Sequence, residues 1–177
     1  LLQRLDDIAA MDAKLDEALR ATLESARALP GHGWNARLGG APRGPAERFL
    51  ALVRQQVYAR VKATETGYDL ETDAQPALPG VLEAAEDLAA ALLYLAQPMR
   101  ALTARLMALL DERAEELDSP ARQRIEATAR AIRRRSEGEV AAWISMLGAL
   151  REGVPSEFAD WFAVERMGGA DSDVGMH

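Results

Sequence analysis

The stretch VLEAAEDLAAALLYLAQPMRALTARLMALLDERAEEL, residues 81–117, decides the fold class. Val81, Ala85, Leu88, Leu92, Leu95, Met99, Leu102, Leu106 and Leu109 recur at alternating steps of four and three, the spacing that lines one face of an α-helix. An apolar stripe kept in phase for so long predicts a long helix with one buried side, and that side needs other helices to cover it. Pro98 falls midway. Proline removes a backbone donor and clashes with the preceding turn, so a kink or break is expected near Ala96–Gln97.

The same rhythm extends outward in both directions. Residues 1–29 place Leu1, Leu5, Ile8, Leu15, Leu19, Thr22, Ala26 and Leu29 on one stripe, with Asp12 its single polar interruption, and predict one long amphipathic helix. PGHGWNARLGGAPRGP (30–45) is dense in glycine and proline and reads as a loop, with Trp34 as a packed anchor. A helix over about 46–63 follows, burying Phe49, Leu50, Val53, Val57 and Val61. TETGYDLETDAQPALPG (64–80) reads as an extended connection. DSPARQRIEA opens the last helix, with Ser119 expected as cap and Pro120 at the first helical position. That helix should reach about Arg151 on Ile125, Thr128, Ile132, Val140, Trp143, Leu147 and Leu150. Its stripe slips around Arg135–Glu139, beside Gly138.

Beyond Pro155 the period changes. WFAVERM (161–167) is aromatic and β-branched, and Gly168, Gly169, Asp171 and Ser172 make a turn before DVGMH. A lone two-stranded hairpin is marginal in water, and no other segment reads as sheet, so residues 160–177 are expected to form a hairpin or stay poorly ordered. The expected fold is mainly α: a bundle of long antiparallel helices over 1–159, then an extended tail or β-hairpin over 160–177. Trp143 and Trp161 are expected in the core.

Composition narrows the function classes. Of 177 residues, 49% are apolar, enough for a proper core, and there is no cysteine, so neither a disulfide nor a cysteine-held metal or cluster is expected within these residues. The longest uncharged run, Leu88–Met99, is too short for a membrane span, and no basic–apolar leader opens the chain. The expectation is a cytoplasmic protein with no membrane partner, and the initial Leu is read as the mark of a piece of a longer chain. The formal charge is −7, which argues against a generic nucleic-acid binder. Its distribution does not: residues 30–63 carry six Lys/Arg against Glu47 alone, and residues 119–153 carry seven Arg against four Glu.

No constellation for catalysis stands out. GHGWNA has the spacing of a dinucleotide-binding turn through Gly31, Gly33 and Ala36, but a helix precedes it where a strand is required, so a loop is the better reading. DSDVG offers Asp171 and Asp173 to calcium without the further ligands an EF-hand needs, and a turn accounts for it. His32 and His177 have no ligand-like neighbours, so no metal site is expected. The arginines of the last helix divide two readings. Arg122, Arg130 and Arg133 fall opposite Ile125 and Ile132, with Arg134 at the edge, but Glu126 stands at i,i+4 to both Arg122 and Arg130, as a self-paired solvated face would have it.

The tail DWFAVERMGGADSDVGMH (160–177) resembles a stretch of bacterial DinG-type helicases, relatives of the XPD DNA helicases. GAPRGPAERFLALVRQQV (40–57) and YDLE (68–71) are similar to helical parts of an insertion in these proteins, called the arch in XPD, which lies between the Asp-Glu-Ala-His box and the Thr-Ser-Ala-Thr motif. The resemblance covers the whole chain and implies an arch-like, non-catalytic domain of an ATP-dependent DNA helicase, a hydrolase, that helps to cover or line the single-stranded DNA path. Its partners would be single-stranded DNA and the motor domain in cis, which the tail would rejoin. ATP and magnesium would belong to the parent protein, and no cofactor to this chain. No Walker lysine, Asp-Glu-Ala-His box or arginine-rich terminal motif occurs here, so no catalytic residue carries over and no ATP hydrolysis is expected of the purified chain. Many relatives bind an iron–sulfur cluster through four cysteines in a separate insertion, on which this chain is silent. Under this reading the nucleic-acid-facing residues are drawn from Arg43, Arg48, Lys62, Arg130, Arg133 and Arg134. The rival reading is a stand-alone helical-bundle adaptor that binds a partner protein through its heptad stripes, and a small-molecule-binding bundle is a third.

Overall fold

Asp12 shows how local chemistry cuts the sequence into elements. The stripe of residues 1–29 is not one helix: α1 (Asp6–Ala9) stops, and α2 (Ala13–Ser25) starts with Asp12 as its cap, the carboxylate accepting from the Leu15 amide at 2.7 Å. A carboxylate at this position satisfies a donor that the first helical turn leaves orphaned, so the polar interruption is a helix start rather than a flaw. The computed structural model describes residues 6–10, 12–61, 68–152 and 160–177. The molecule is mainly α, made of long helices with a short C-terminal antiparallel hairpin, as the periodicities require.

The elements that follow are α3 (Pro45–Arg60), β1 (Leu70–Asp73), α4 (Val81–Glu112), α5 (Ser119–Arg134), α6 (Ala141–Glu152), β2 (Trp161–Met167) and β3 (Ala170–Met176). All nine residues of the α4 stripe are buried. Pro98 does not divide the helix, which runs unbroken from Val81 to Glu112. The carbonyl deprived of its partner is that of Tyr94, on the solvent side, where water can replace the missing donor. Burial of each large stripe residue contributes about 1.5–3 kcal/mol, so two or three of them offset the roughly 3 kcal/mol that an interior proline costs.

The cap of α5 is Asp118, one residue earlier than expected. Its side chain accepts from the Ala121 amide at 2.7 Å, and Ser119 and Pro120 are already helical. The stripe's slip has a structural cause as well: α5 passes into α6 through a π-helical segment, Arg135–Val140. Ile132, Ser136 and Val140 are all buried at steps of four, where the alternation of three and four is lost and the wider turn takes up one extra residue.

The chain forms two compact units. One comprises residues 1–26 and 91–144, the other residues 27–90 and 145–177, so the strand tail belongs with α3 rather than standing apart as residues 160–177. In the first unit, Arg105 of α4 holds α2 by its cap. Its Nε donates to Asp12 Oδ1 at 3.0 Å, Nη2 meets Asp12 Oδ2, and Nη1 and Nη2 grip Glu112 at 2.9 and 2.8 Å. Hydrogen bonding from Arg105 holds the Asp12 carboxyl at about 2, against the opposing effect of burial.

In the second unit the tail finds a partner that the sequence did not reveal. β1, in the segment read as an extended connection, pairs antiparallel with β2, and the sheet runs β1-β2-β3. Gly168 and Gly169 alone make the β2–β3 turn, at φ 60° and 82°, the left-handed pair that a two-residue hairpin turn demands. Helix α3 packs on all three strands, with Phe49 edge-on to Phe162 at 6.3 Å. Ser172 is the extra residue of a bulge, since Glu165 pairs with Asp173 and Arg166 with Asp171. The bulge inverts the alternation and turns Asp171 toward α3, where it accepts from Arg54 Nε at 2.7 Å and Tyr58 Oη at 2.6 Å.

Two buried polar side chains hold the connections. Gln56 is fully buried yet satisfied: it donates to the Ala74 and Asp73 carbonyls at 2.8 and 3.2 Å and accepts from the Leu78 amide at 2.8 Å. Glu47, also fully buried, accepts from the amides of Gly31 at 2.8 Å and Arg43 at 2.6 Å and from the Arg37 guanidinium. Burial alone would push its carboxyl up, but these donors outweigh burial and hold it below the usual carboxylate range. Trp34 is buried in this loop with Arg37 over its ring, the anchor expected of it. Trp161, by contrast, is 41% exposed, and Trp143 is only half-buried.

Candidate nucleic-acid interface

Helix α5 sorts its side chains by phase. Ile125, Thr128, Ala129 and Ile132 are buried, and at about 100° per residue Arg130, Arg133 and Arg134 project away from them. All three are exposed. Arg130 approaches Glu126 at 3.5 Å with both side chains largely in water, a pair worth little. Arg133 and Arg134 have no ion pair among the described residues, and neither has Arg135, the exposed first residue of the π turn. Of the two arginines expected to pair with Glu126, Arg130 does so. Arg122 instead donates to the Ala114 carbonyl at 3.0 Å. Arg135 escaped the sequence reading because the stripe loses phase where it stands.

The other predicted residues lie in the second unit. Arg43 has an exposed side chain, while its backbone amide serves Glu47. Arg48 forks onto α4, reaching Asp87 at 3.0 Å and Glu83 at 3.3 Å. Lys62 lies outside the described residues. Arg48 and Arg54 line a shallow open groove of about 310 Å³ with Leu38, Gly39, Gly40 and Pro42. Both arginines are already engaged by carboxylates, Arg54 by Asp171, so an anion entering this groove would have to displace one. The structure thus joins Arg130, Arg133 and Arg134 on one surface and leaves Arg43 and Arg48 as separate cations.

Nothing else in the described residues gathers into a reactive constellation. No group of three or more His, Asp or Glu is placed to hold a metal ion there. Asp171, considered for calcium, is spent on Arg54 and Tyr58, and the Tyr58 hydroxyl is pushed above its ordinary pKa by burial and by its bond to Asp171. Among the described residues no helix is long and apolar enough to cross a membrane. No family model, curated protein or solved structure matches the chain.

Proposed function

We propose that the chain is a non-catalytic, arch-like helical domain of an ATP-dependent DNA helicase, and that the exposed arginine face of α5 lines the path of a single strand. The observation that carries this reading is the set Arg130, Arg133 and Arg134 on one helix face, the last two without counter-charges among the described residues. Neighbours on such a face stand about 5–6 Å apart, close to the reach needed to touch successive phosphates of an extended strand. The likeness of the tail to DinG-type helicases supplies the protein class. Phosphate contacts release counterions, so affinity should fall steeply with salt and little with base sequence.

The test is Arg133→Glu with Arg134→Glu, read as oligo(dT) binding by the chain at low salt and as unwinding by the full-length parent. Loss of two phosphate contacts should weaken binding and reduce the log–log salt slope by about 1.4. Unchanged binding and slope would refute the assignment. The adaptor reading draws on a different observation, the exposure of Leu93, Tyr94 and Met107 on α4. It predicts that Leu93→Ser with Tyr94→Ser abolishes capture of a protein partner while DNA binding is indifferent to the arginines.

A further inference from the structure

Strand register collects side chains on the sheet face away from α3. That face takes Glu71 and Asp73 from β1, Trp161, Ala163 and Glu165 from β2, and Asp173, Gly175 and His177 at the β3 end. At one end of it, in the row of Asp73, the Trp161 and His177 rings stack, with centroids 5.4 Å apart and planes 16° from parallel. The imidazole lies over Gly175, where an added Cβ would sit 3.1 Å from Nε2 and the ring would have to shift by a few tenths of an ångström. Trp161 remains 41% exposed with the imidazole in place.

Asp73 and Glu71 stand beside this pair and Glu165 and Asp173 at the far end of the face, with no Lys or Arg on the face and no ion pair to any of the four among the described residues. Glu165 and Asp173 are cross-strand partners, an arrangement of like charges that destabilises a sheet. Solvation accounts for exposed carboxylates. It does not account for a large exposed indole at one end of an acidic face, nor for two acids that repel at the other. One chemical group complements both features: a guanidinium, whose plane stacks on an aromatic face and whose fork takes carboxylate oxygens in pairs.

We propose that this sheet face docks an arginine-bearing segment of a partner protein, one arginine over the Trp161–His177 stack and others on Glu165/Asp173 and Glu71/Asp73. The proposal makes no use of the α5 arginines and is independent of the nucleic-acid reading. The partner is a protein because the face is acidic and would repel a phosphate backbone.

The experiment titrates the chain with an acetylated octapeptide of alternating Gly and Arg, and with its Lys counterpart, by calorimetry. The Arg peptide should bind more tightly than the Lys peptide, and Trp161→Ala should remove that preference. Glu165→Lys with Asp173→Lys should weaken both peptides about tenfold or more, the equivalent of one lost charge pair. Asp173→Lys alone should weaken binding while raising the melting temperature, because it replaces a repulsive cross-strand pair with an attractive one. Glu137→Lys with Glu139→Lys, on the exposed π turn, makes the same change in net charge elsewhere and should leave binding unaltered. Equal weakening by that control would reduce the effect to net charge and overturn the proposal, as would equal affinity for the two peptides. Self-association of the chain that Glu165→Lys with Asp173→Lys dissolves would identify a second copy as the occupant and also overturn it.

Discussion

Asp12 does two jobs with one carboxylate, capping α2 and receiving Arg105. Its pKa, about 2 in the fold against an ordinary 3.8, makes its contribution acid-sensitive. A depressed carboxylate stabilises fully above its unfolded pKa and loses that contribution as pH falls through the folded one. Urea denaturation should therefore show stability declining between pH about 4 and about 2, and Glu47 and Glu112, both lowered, act in the same direction. Asp12→Asn keeps a competent cap but removes the charge, so it should flatten part of that acid slope. If the slope is unchanged, the pairing with Arg105 does not contribute in solution. Gln56 offers a neutral counterpart. Gln56→Leu leaves the Leu78 amide and the Ala74 carbonyl buried without partners, and should lower unfolding free energy by about 2–3 kcal/mol, read from the urea midpoint. None of these partnerships was visible in sequence, since Asp12 and Arg105 lie 93 residues apart and only the fold brings them together.

Elements were legible where burial imposes a period. The α4 stripe was readable because nine residues repeat one rhythm, and WFAVERM because aromatic and β-branched residues favour a pleated surface. β1 was not. LETD turns only Leu70 fully inward, and its strand character comes from pairing with β2, a tertiary effect that four mostly polar residues cannot announce. The π segment was half-legible: the slip of the stripe was plain, its structural form was not. A π turn takes one more residue than an α turn. Deleting Gly138, whose Cβ position meets no atom within 4 Å, should convert the segment to regular helix with α5 and α6 still in phase. The melting temperature should then stay within a few degrees of the parent's, whereas deletion of Ala127 within α5 should collapse the transition. Equal damage from both deletions would mean that the turn is not an accommodated insertion.

At the scale of the molecule, the chain's two ends of sequence logic met different fates. The basic face of α5 was foreseen because phase alone separates Arg130, Arg133 and Arg134 from Ile125 and Ile132. The acidic sheet face was not, because its carboxylates come from three strands and only register assembles them. The division into two units was equally hidden, since α4 contributes to both and carries one unbroken stripe across the boundary. The three tryptophans happen to sample this organisation. Trp143 lies in one unit and Trp34 and Trp161 in the other, and their exposure differs sharply, Trp34 at 4% and Trp161 at 41%. The molecule therefore carries its own optical reporters. Acrylamide should quench Trp161 emission first and leave a blue-shifted component from Trp34, and Trp161→Phe should remove the accessible fraction. With Trp34→Phe added, the remaining emission follows Trp143 alone, and its denaturation curve shows whether the first unit melts with the second or before it.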